Sequence, residues 1–331
     1  MIQLVKQSVT PLGPCPSDEV EMLKRIEMAG RTAYKSEDKI TEDSALGFVQ
    51  RMKKSGHLSV LEHSNICLLM RYPVDDTGYF WRLFKERGAF HVIRPIQYES
   101  KVGWAGYHVA IAGNVRSWLE TLKVLDSCVY QWFFQHFLNQ FFPSLFDPID
   151  PGCLKTMCDS LGAMQAELVT NSSPPDHELQ AYTFHIVCDR GISHEIVRHR
   201  VLSFTQESTR YVNYGNKGTE FIMPEHLEEA FDPEKLVSDI RLDDWMELRE
   251  YEDACQQAYN SYYQLLNRYH RKPQIARDVL PNLLKTEMYV SGRWSGWKHF
   301  IELRDSPAAH PRIQKIAQEI RTYFAGIGLE M

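Results

Sequence analysis

The 331 residues contain no Cys-x-x-Cys pair, no His-Glu-x-x-His and no other metal-ligand spacing, although thirteen histidines are present; a resident metal is therefore not expected. The seven cysteines (Cys15, Cys67, Cys128, Cys153, Cys158, Cys188, Cys255) are odd in number and scattered. That pattern argues against a disulfide framework and for buried thiols in a reducing compartment. Positive charge is in short supply: 37 Lys and Arg stand against 43 Asp and Glu, a net charge of −6. A general nucleic-acid coat protein would be basic overall, whereas a local cationic pocket remains compatible with this balance. No apolar run approaches the ~20 residues of a membrane span. The stretch Met1 to Val9 is short for a secretory signal, and Pro11, Pro14 and Pro16 break the residues after it. These absences predict a soluble cytoplasmic protein with no membrane and no nucleic-acid partner. Internal repeats and low-complexity tracts are also missing. Hydrophobic and charged contents of 44% and 24% are those of an ordinary globular chain, long enough to bury a sizeable core.

The informative stretch runs from Arg198-His199-Arg200 through Val201-Leu202-Ser203-Phe204-Thr205-Gln206-Glu207-Ser208-Thr209 to Arg210-Tyr211. It gathers three guanidiniums, an imidazole and several hydroxyl or amide groups. Before it, Gly191 to Val197 reads as a short helix, with Gly191 at its start and Ser193 as candidate cap. On a continuing helix Arg198 and Arg200 would point to roughly opposite sides. Either the helix ends there or the two arginines serve different ligands. If the following segment is extended, Gln206, Ser208 and Arg210 share one face, because side-chain direction repeats every two residues. An amide, a hydroxyl and a planar guanidinium on one face suit a phosphate or a nucleotide. Read alone, the stretch is equally a solvated basic helix end.

Along the chain, Ile2 to Val5 predicts a first strand. Glu19 to Ala29 carries apolar residues at helical spacing, with Gly30 to Tyr34 following its end, and Ala45 to Lys54 predicts a second helix behind a cap at Thr41 to Ser44. Gly56-His57-Leu58-Ser59-Val60-Leu61-Glu62-His63 places a polar cluster at the next turn, and Asn65 to Tyr72 reads as a buried strand. Residues 73–179 then interrupt the pattern. They include a helix from Ser117 to about Phe137, whose Trp118, Tyr130, Trp132, Phe133, Phe134 and Phe137, with Phe141 and Phe142, suit a core or a subunit contact. Asn171 to Asp176 predicts a loop. Strands follow at 180–187, 219–223 and 286–292, and helices at 239–270, 273–280, 297–304 and 311–325.

Arg-His-Arg, then seven residues, then Ser and an Arg two further on, is similar to the signature of the flavin-dependent thymidylate synthases. The element Gly-His-x-Ser-x-x-Glu-His at residues 56–63 resembles a second motif of that family, in the right order. The resemblance covers roughly residues 1–72 and 180–325. It implies an α/β (α+β) fold, a mixed sheet with flanking helices, carrying a large mostly helical insertion. Residues 1–331 would form one domain, with 73–179 inserted within it. The implied reaction is methylation of dUMP at C5 to dTMP, with methylenetetrahydrofolate as carbon donor and NADPH-reduced FAD as hydride source. The implied assembly is a homotetramer with shared active sites.

Carried onto this chain, the resemblance assigns His57, Ser59, Glu62, Arg198, His199, Arg200, Gln206, Arg293 and His299 to FAD. It assigns Glu195, Arg198, Gln206, Glu207, Ser208, Thr209, Arg210, Arg277 and Arg304 to dUMP, and Arg304 to catalysis. The chemistry accounts for an arginine at the base. A guanidinium at ~4 Å and an effective dielectric of ~20 is worth about 4 kcal/mol, or roughly three pKa units, enough to favour ionisation of uracil N3. Cys153 and Cys188 lie in no nucleophile motif and read as inert. The chain departs from the family in Thr205-Gln206 for Asn-Glu, Glu195 for Gln, Ala308-Ala309-His310 for His-Ala-Gln, and His299 where some members have Asn. Glu195 is expected to pair with a cation such as Arg198 or to face the base. Two rival readings are another flavin- or nucleotide-binding enzyme on the same scaffold, and a nucleic-acid binder in which Tyr211 and Tyr214 stack on bases.

Overall fold

The computed structural model describes residues 2–72, 92–96, 107–125, 129–161, 165–169, 177–231 and 240–330. The chain begins with β1 (Ile2–Val5) and β2 (Ser8–Pro14), then α1 (Glu19–Ala33) and α2 (Ser44–Ser55). A 3-10 turn at Leu58–His63 leads into β3 (Asn65–Tyr72), β4 (Val92–Ile96) and β5 (Tyr107–Asn114). Next come α3 (Val115–Val124), α4 (Val129–Phe141), α5 (Pro151–Leu161) and β6 (Gln165–Leu168). The chain continues with β7 (Tyr182–Asp189), α6 (Arg190–Ile196), β8 (Ser203–Gln206), α7 (Tyr214–Lys217), β9 (Thr219–Ile222) and α8 (Glu225–Glu228). It ends with α9 (Leu242–Asn267), α10 (Pro273–Ala276), β10 (Lys285–Gly292), α11 (Trp294–Arg304) and α12 (Pro311–Gly326).

Two four-stranded sheets organise this mixed α/β fold. One has the order β2-β7-β10-β8 and the other β4-β5-β3-β6, while β1 pairs β9 in parallel. In the first sheet β10 lies antiparallel to both β7 and β8, so Met288 sits between Ile186 and Gln206. One face of β7 and β10 buries Phe184, Ile186, Met288 and Val290 against Trp297 and Phe300 of α11 and Ile316 and Ile320 of α12. Each such side chain contributes roughly 1.5–3 kcal/mol on leaving water. That packing fixes α11, and hence Arg304 at its last position, relative to the sheet.

The strand at 65–72 pairs in full with β5 and over four residues with β6, so it belongs to the second sheet with the inserted strands. The segment following it contributes strands as well as helices. The expected single helix from Ser117 to Phe137 is two helices, α3 and α4, starting at Val115 and Val129. Asn114 caps the first by accepting from Ser117 N. Of the aromatics, Trp118, Phe133, Phe134 and Phe142 are buried in one core with α1, α2 and β3, and the other four pack partly buried against it. The predicted loop at 171–176 lies outside the described residues.

Several local expectations are corrected. Helix α1 runs through Gly30 to Ala33 because Arg31 reaches back to Glu27 Oε1 at 2.9 Å and Gly30 admits the Phe48 ring. Asp189, not Ser193, caps α6, accepting from Ile192 N at 2.8 Å. Ser193 is buried and donates to the Arg190 carbonyl instead. The helix ends at Ile196, ahead of Arg198. Strand β8 stops at Gln206, and the chain then turns, with Tyr211 N and Val212 N both donating to Ser208 O. The alternation outlasts the strand in accessibility: Thr205, Glu207 and Thr209 are buried, while Gln206, Ser208 and Arg210 face outward to differing degrees.

Candidate active site

The sheet and α6 bring Arg198, His199 and Arg200 to the end of a helix with the two arginines exposed and the histidine between them 5% exposed. Arg304, from the end of α11, reaches this point across the fold. Its Nε donates to His199 Nε2 at 2.9 Å, Nη1 to Glu195 Oε2 at 2.8 Å and Nη2 to the Glu195 carbonyl at 3.4 Å. Glu195 thus pairs with a cation, but with Arg304 in place of Arg198. Burial, then the Arg304 charge and His299, hold the His199 imidazole down to about 4. His299 is exposed, its ring centroid 6.0 Å from that of His199.

A second group surrounds a cavity of about 100 Å³ lined by Glu62, Asn65, Asn114, Arg200, Ser203 and Arg293, among others. Arg293 donates from Nη2 to the Ala112 carbonyl at 2.8 Å. Arg116, at the start of α3, donates to Glu62 Oε1 at 2.7 Å and balances its charge. This residue escaped the sequence reading, because nothing in the spacing from Glu62 to Arg116 announces contact. The cavity has room for a group about the size of a phosphate, with Arg200 and Arg293 as the cations in its lining.

The third group is the turn after β8. Ser208 N donates to the Ala33 carbonyl at 3.0 Å, tying the turn to the end of α1. Arg277 donates from Nη1 to Thr209 Oγ1 at 2.9 Å. Among the described residues no ion pair joins it to its neighbour Asp278 or to Glu287, which pairs with His185 and Lys285. Arg210 is exposed and lies over the Tyr211 ring at 5.5 Å. Tyr34, also missed from sequence, links this turn to the other motif: its hydroxyl is 2.9 Å from His57 Nδ1 and its ring 5.3 Å from that of Tyr211. His57 and Ser59 are exposed on that turn.

Two further assigned side chains have surroundings within the fold. The Glu207 carboxyl is buried and its pKa is raised by that burial, with Lys35 and Lys285 opposing. Gln206 donates to Ser193 Oγ at 2.8 Å and Thr286 Oγ1 at 3.1 Å, so its amide braces β8 against α6. His310, in the departure near the C-terminus, caps α12 by accepting from Arg312 N. Among the described residues no hydrogen bond, ion pair or ring contact joins Arg304 to Ser208 or Arg210. Gln206, through Ser193 of α6, connects the turn after β8 to the helix that carries Glu195. No cluster of three or more metal-ligating side chains and no helix long and apolar enough to cross a membrane occur among the described residues.

Residues 166–327 match the family model described as thymidylate synthase complementing protein. A flavin-dependent thymidylate synthase of Corynebacterium glutamicum is 32% identical over 130 residues, covering 39% of this chain and 51% of that protein. One from Mycobacterium tuberculosis is 28% identical over 162 residues, covering 45% and 60%. The chain thus spans about half the length of the first of these relatives. Among solved structures, a UMP/dUMP methylase from Streptomyces cacaoi aligns over 98% of this chain and 92% of its own at 16% identity and a TM-score of 0.41. A thymidylate synthase from Helicobacter pylori with FAD and dUMP covers 43% and 65% at 22% identity and a TM-score of 0.30. At those scores the structural likenesses add no weight. Across residues 166–327 the chain is thus similar to the thymidylate synthase complementing family, and over 130 residues to a flavin-dependent thymidylate synthase.

Proposed function

We propose that the protein methylates dUMP at C5 to give dTMP, taking the carbon from methylenetetrahydrofolate. FAD, recharged by NADPH, supplies the hydride when bound. The observation that carries this reading is Arg304, held beside Arg198-His199-Arg200 by partners 105 and 109 residues away. Three of its N–H groups are engaged among the described residues, which leaves two of the five that a guanidinium carries. That pair suits a planar acceptor edge such as pyrimidine N3 and its neighbouring carbonyl, and the fixed charge draws N3 toward ionisation, raising electron density at C5.

Arg200 and Arg293 would bind the flavin phosphates at the small cavity, with Glu62, Arg198, His57, Ser59 and His299 around the rest. Ser208, Arg210 and Arg277 would bind the nucleotide phosphate. A homotetramer in which copies complete each other's sites, at work in the cytoplasm, belongs to the same reading. One domain spanning 1–331 with the segment 73–179 inserted remains our reading of the organisation. The test is dTMP formation with dUMP, methylenetetrahydrofolate and NADPH, leaving out each in turn. Purified protein should be yellow and bleach with NADPH. Colourless protein that takes up no flavin, or turnover indifferent to dUMP, overturns the proposal.

A further inference from the structure

The middle residue of Arg198-His199-Arg200 does a different job from its neighbours. Both arginines are exposed, whereas His199 is buried against the Phe300 ring, centroids 4.8 Å apart. Its Nε2 lies 2.9 Å from Arg304 Nε. A guanidinium keeps its protons, so Arg304 donates and His199 accepts. An imidazole that accepts at Nε2 and is uncharged carries its proton on Nδ1. On the other side, Glu195 takes Nη1 through its carboxylate and Nη2 through its carbonyl. The guanidinium plane is therefore held at all three nitrogens by residues of one short segment, 195–199.

We propose that His199 is a positioning residue for Arg304: as an uncharged imidazole protonated at Nδ1 it fixes the guanidinium, with Glu195, so that the two remaining N–H groups meet the pyrimidine edge. This rests in part on the proposed reaction. The two neighbouring arginines keep the anion-binding role. A lysine at position 304 could not be held this way, having no planar fork to grip.

Selective 15N labelling of histidine reads the tautomer without any turnover. The signal lost in His199→Gln should be that of an Nδ1-protonated ring in the intact protein, and Arg304→Met should shift it. An Nε2-protonated or charged ring at neutral pH overturns the inference. Kinetics supply the second arm. His199→Leu, which has no acceptor, should retain flavin and its KM for dUMP while losing kcat by about a hundred-fold, the cost of a small misplacement of a reacting group. His199→Gln keeps an acceptor oxygen and should recover most of that loss. Equal behaviour of the two variants, or flavin loss with full kcat per bound flavin, also overturns it. An Nδ1-protonated His199 in a protein that makes no dTMP would leave the positioning intact and remove only the proposed reaction.

Discussion

Arg277 Nη1 donates to Thr209 Oγ1 at 2.9 Å, joining the start of a 3-10 turn to the turn that follows β8 across 68 residues of chain. The contact places a permanent cation beside Ser208 and Arg210 and uses one of its N–H groups to hold the turn. The remaining donors are available to an anion.

Arg277→Met should therefore weaken dUMP binding. A charged hydrogen bond is worth about 1.5–3 kcal/mol, so Kd should rise roughly ten- to a hundred-fold while flavin content stays constant. Isothermal titration with dUMP measures this. An unchanged Kd would remove Arg277 from the nucleotide site.

His63 is fully buried, with Nδ1 2.8 Å from Ser291 Oγ and Nε2 2.8 Å from Thr205 Oγ1, bolting the 56–63 motif to the central sheet. Burial, then the Arg25 charge, holds its pKa down from 6.5 to about 3. The unfolded chain therefore binds this proton first as pH falls. The contribution is complete above the unfolded value and is lost progressively between 6.5 and 3, by up to about 1.4 kcal/mol per pH unit. His199, held down to about 4, acts in the same direction. Urea unfolding should give lower stability at pH 5 than at pH 7, a window in which ordinary carboxylates stay charged. His63→Asn should be less stable at pH 7 but show a shallower pH slope; an identical slope would mean that His63 is not the titrating group.

A methyl group added at Gly30 would sit 2.5 Å from Cε1 and Cζ of Phe48, a ring only 3% exposed. Helix propensity favours alanine by about 1 kcal/mol, but overpacking costs typically about 1–3 kcal/mol. Gly30→Ala should thus destabilise by about 1 kcal/mol net. Gly47→Ala, which meets only Arg51 Nη1 at 3.5 Å, should be neutral or stabilising. Thermal unfolding of the two variants compares them directly, and shifts of the same sign would contradict the packing argument.

The thiols provide a test of chemistry without a cysteine nucleophile. Burial pushes Cys67 up to about 12 and Cys15 and Cys188 upward as well, which leaves little thiolate at neutral pH. Cys158 is exposed and Cys153 half-buried, so these are the reactive positions among the described residues. Replacing both with serine should leave dTMP formation within about two-fold, as surface substitutions generally do little. Loss of turnover in that double variant would restore a thiol to the mechanism.

Much of the layout was legible because periodicity is local. Ile2 to Val5, Asn65 to Tyr72 and the strand before Gly292 alternate or run apolar over a strand's length, and Pro311 marks the start of α12 as expected of N1. Boundaries slipped where a distant partner intervened. Gly30 looked like a stop, yet the Phe48 ring needs the space it leaves; Ser193 looked like a cap, yet it is buried and serves Gln206. The membership of β3 in the second sheet was invisible, since strand pairing depends on which edges meet and not on the strand's own residues.

By itself the sequence determined the inventory: which side chains stay charged, where the chain turns, and that Arg-His-Arg is followed at fixed spacing by Ser208 and Arg210. Only tertiary structure decided who meets whom. Arg304 finds His199 and Glu195, Glu62 finds Arg116, and Tyr34 finds both His57 and Tyr211. The physical reason is range. Backbone preferences and side-chain periodicity act over a few residues, whereas a hydrogen bond acts over about 3 Å of space and is indifferent to the length of chain between its ends.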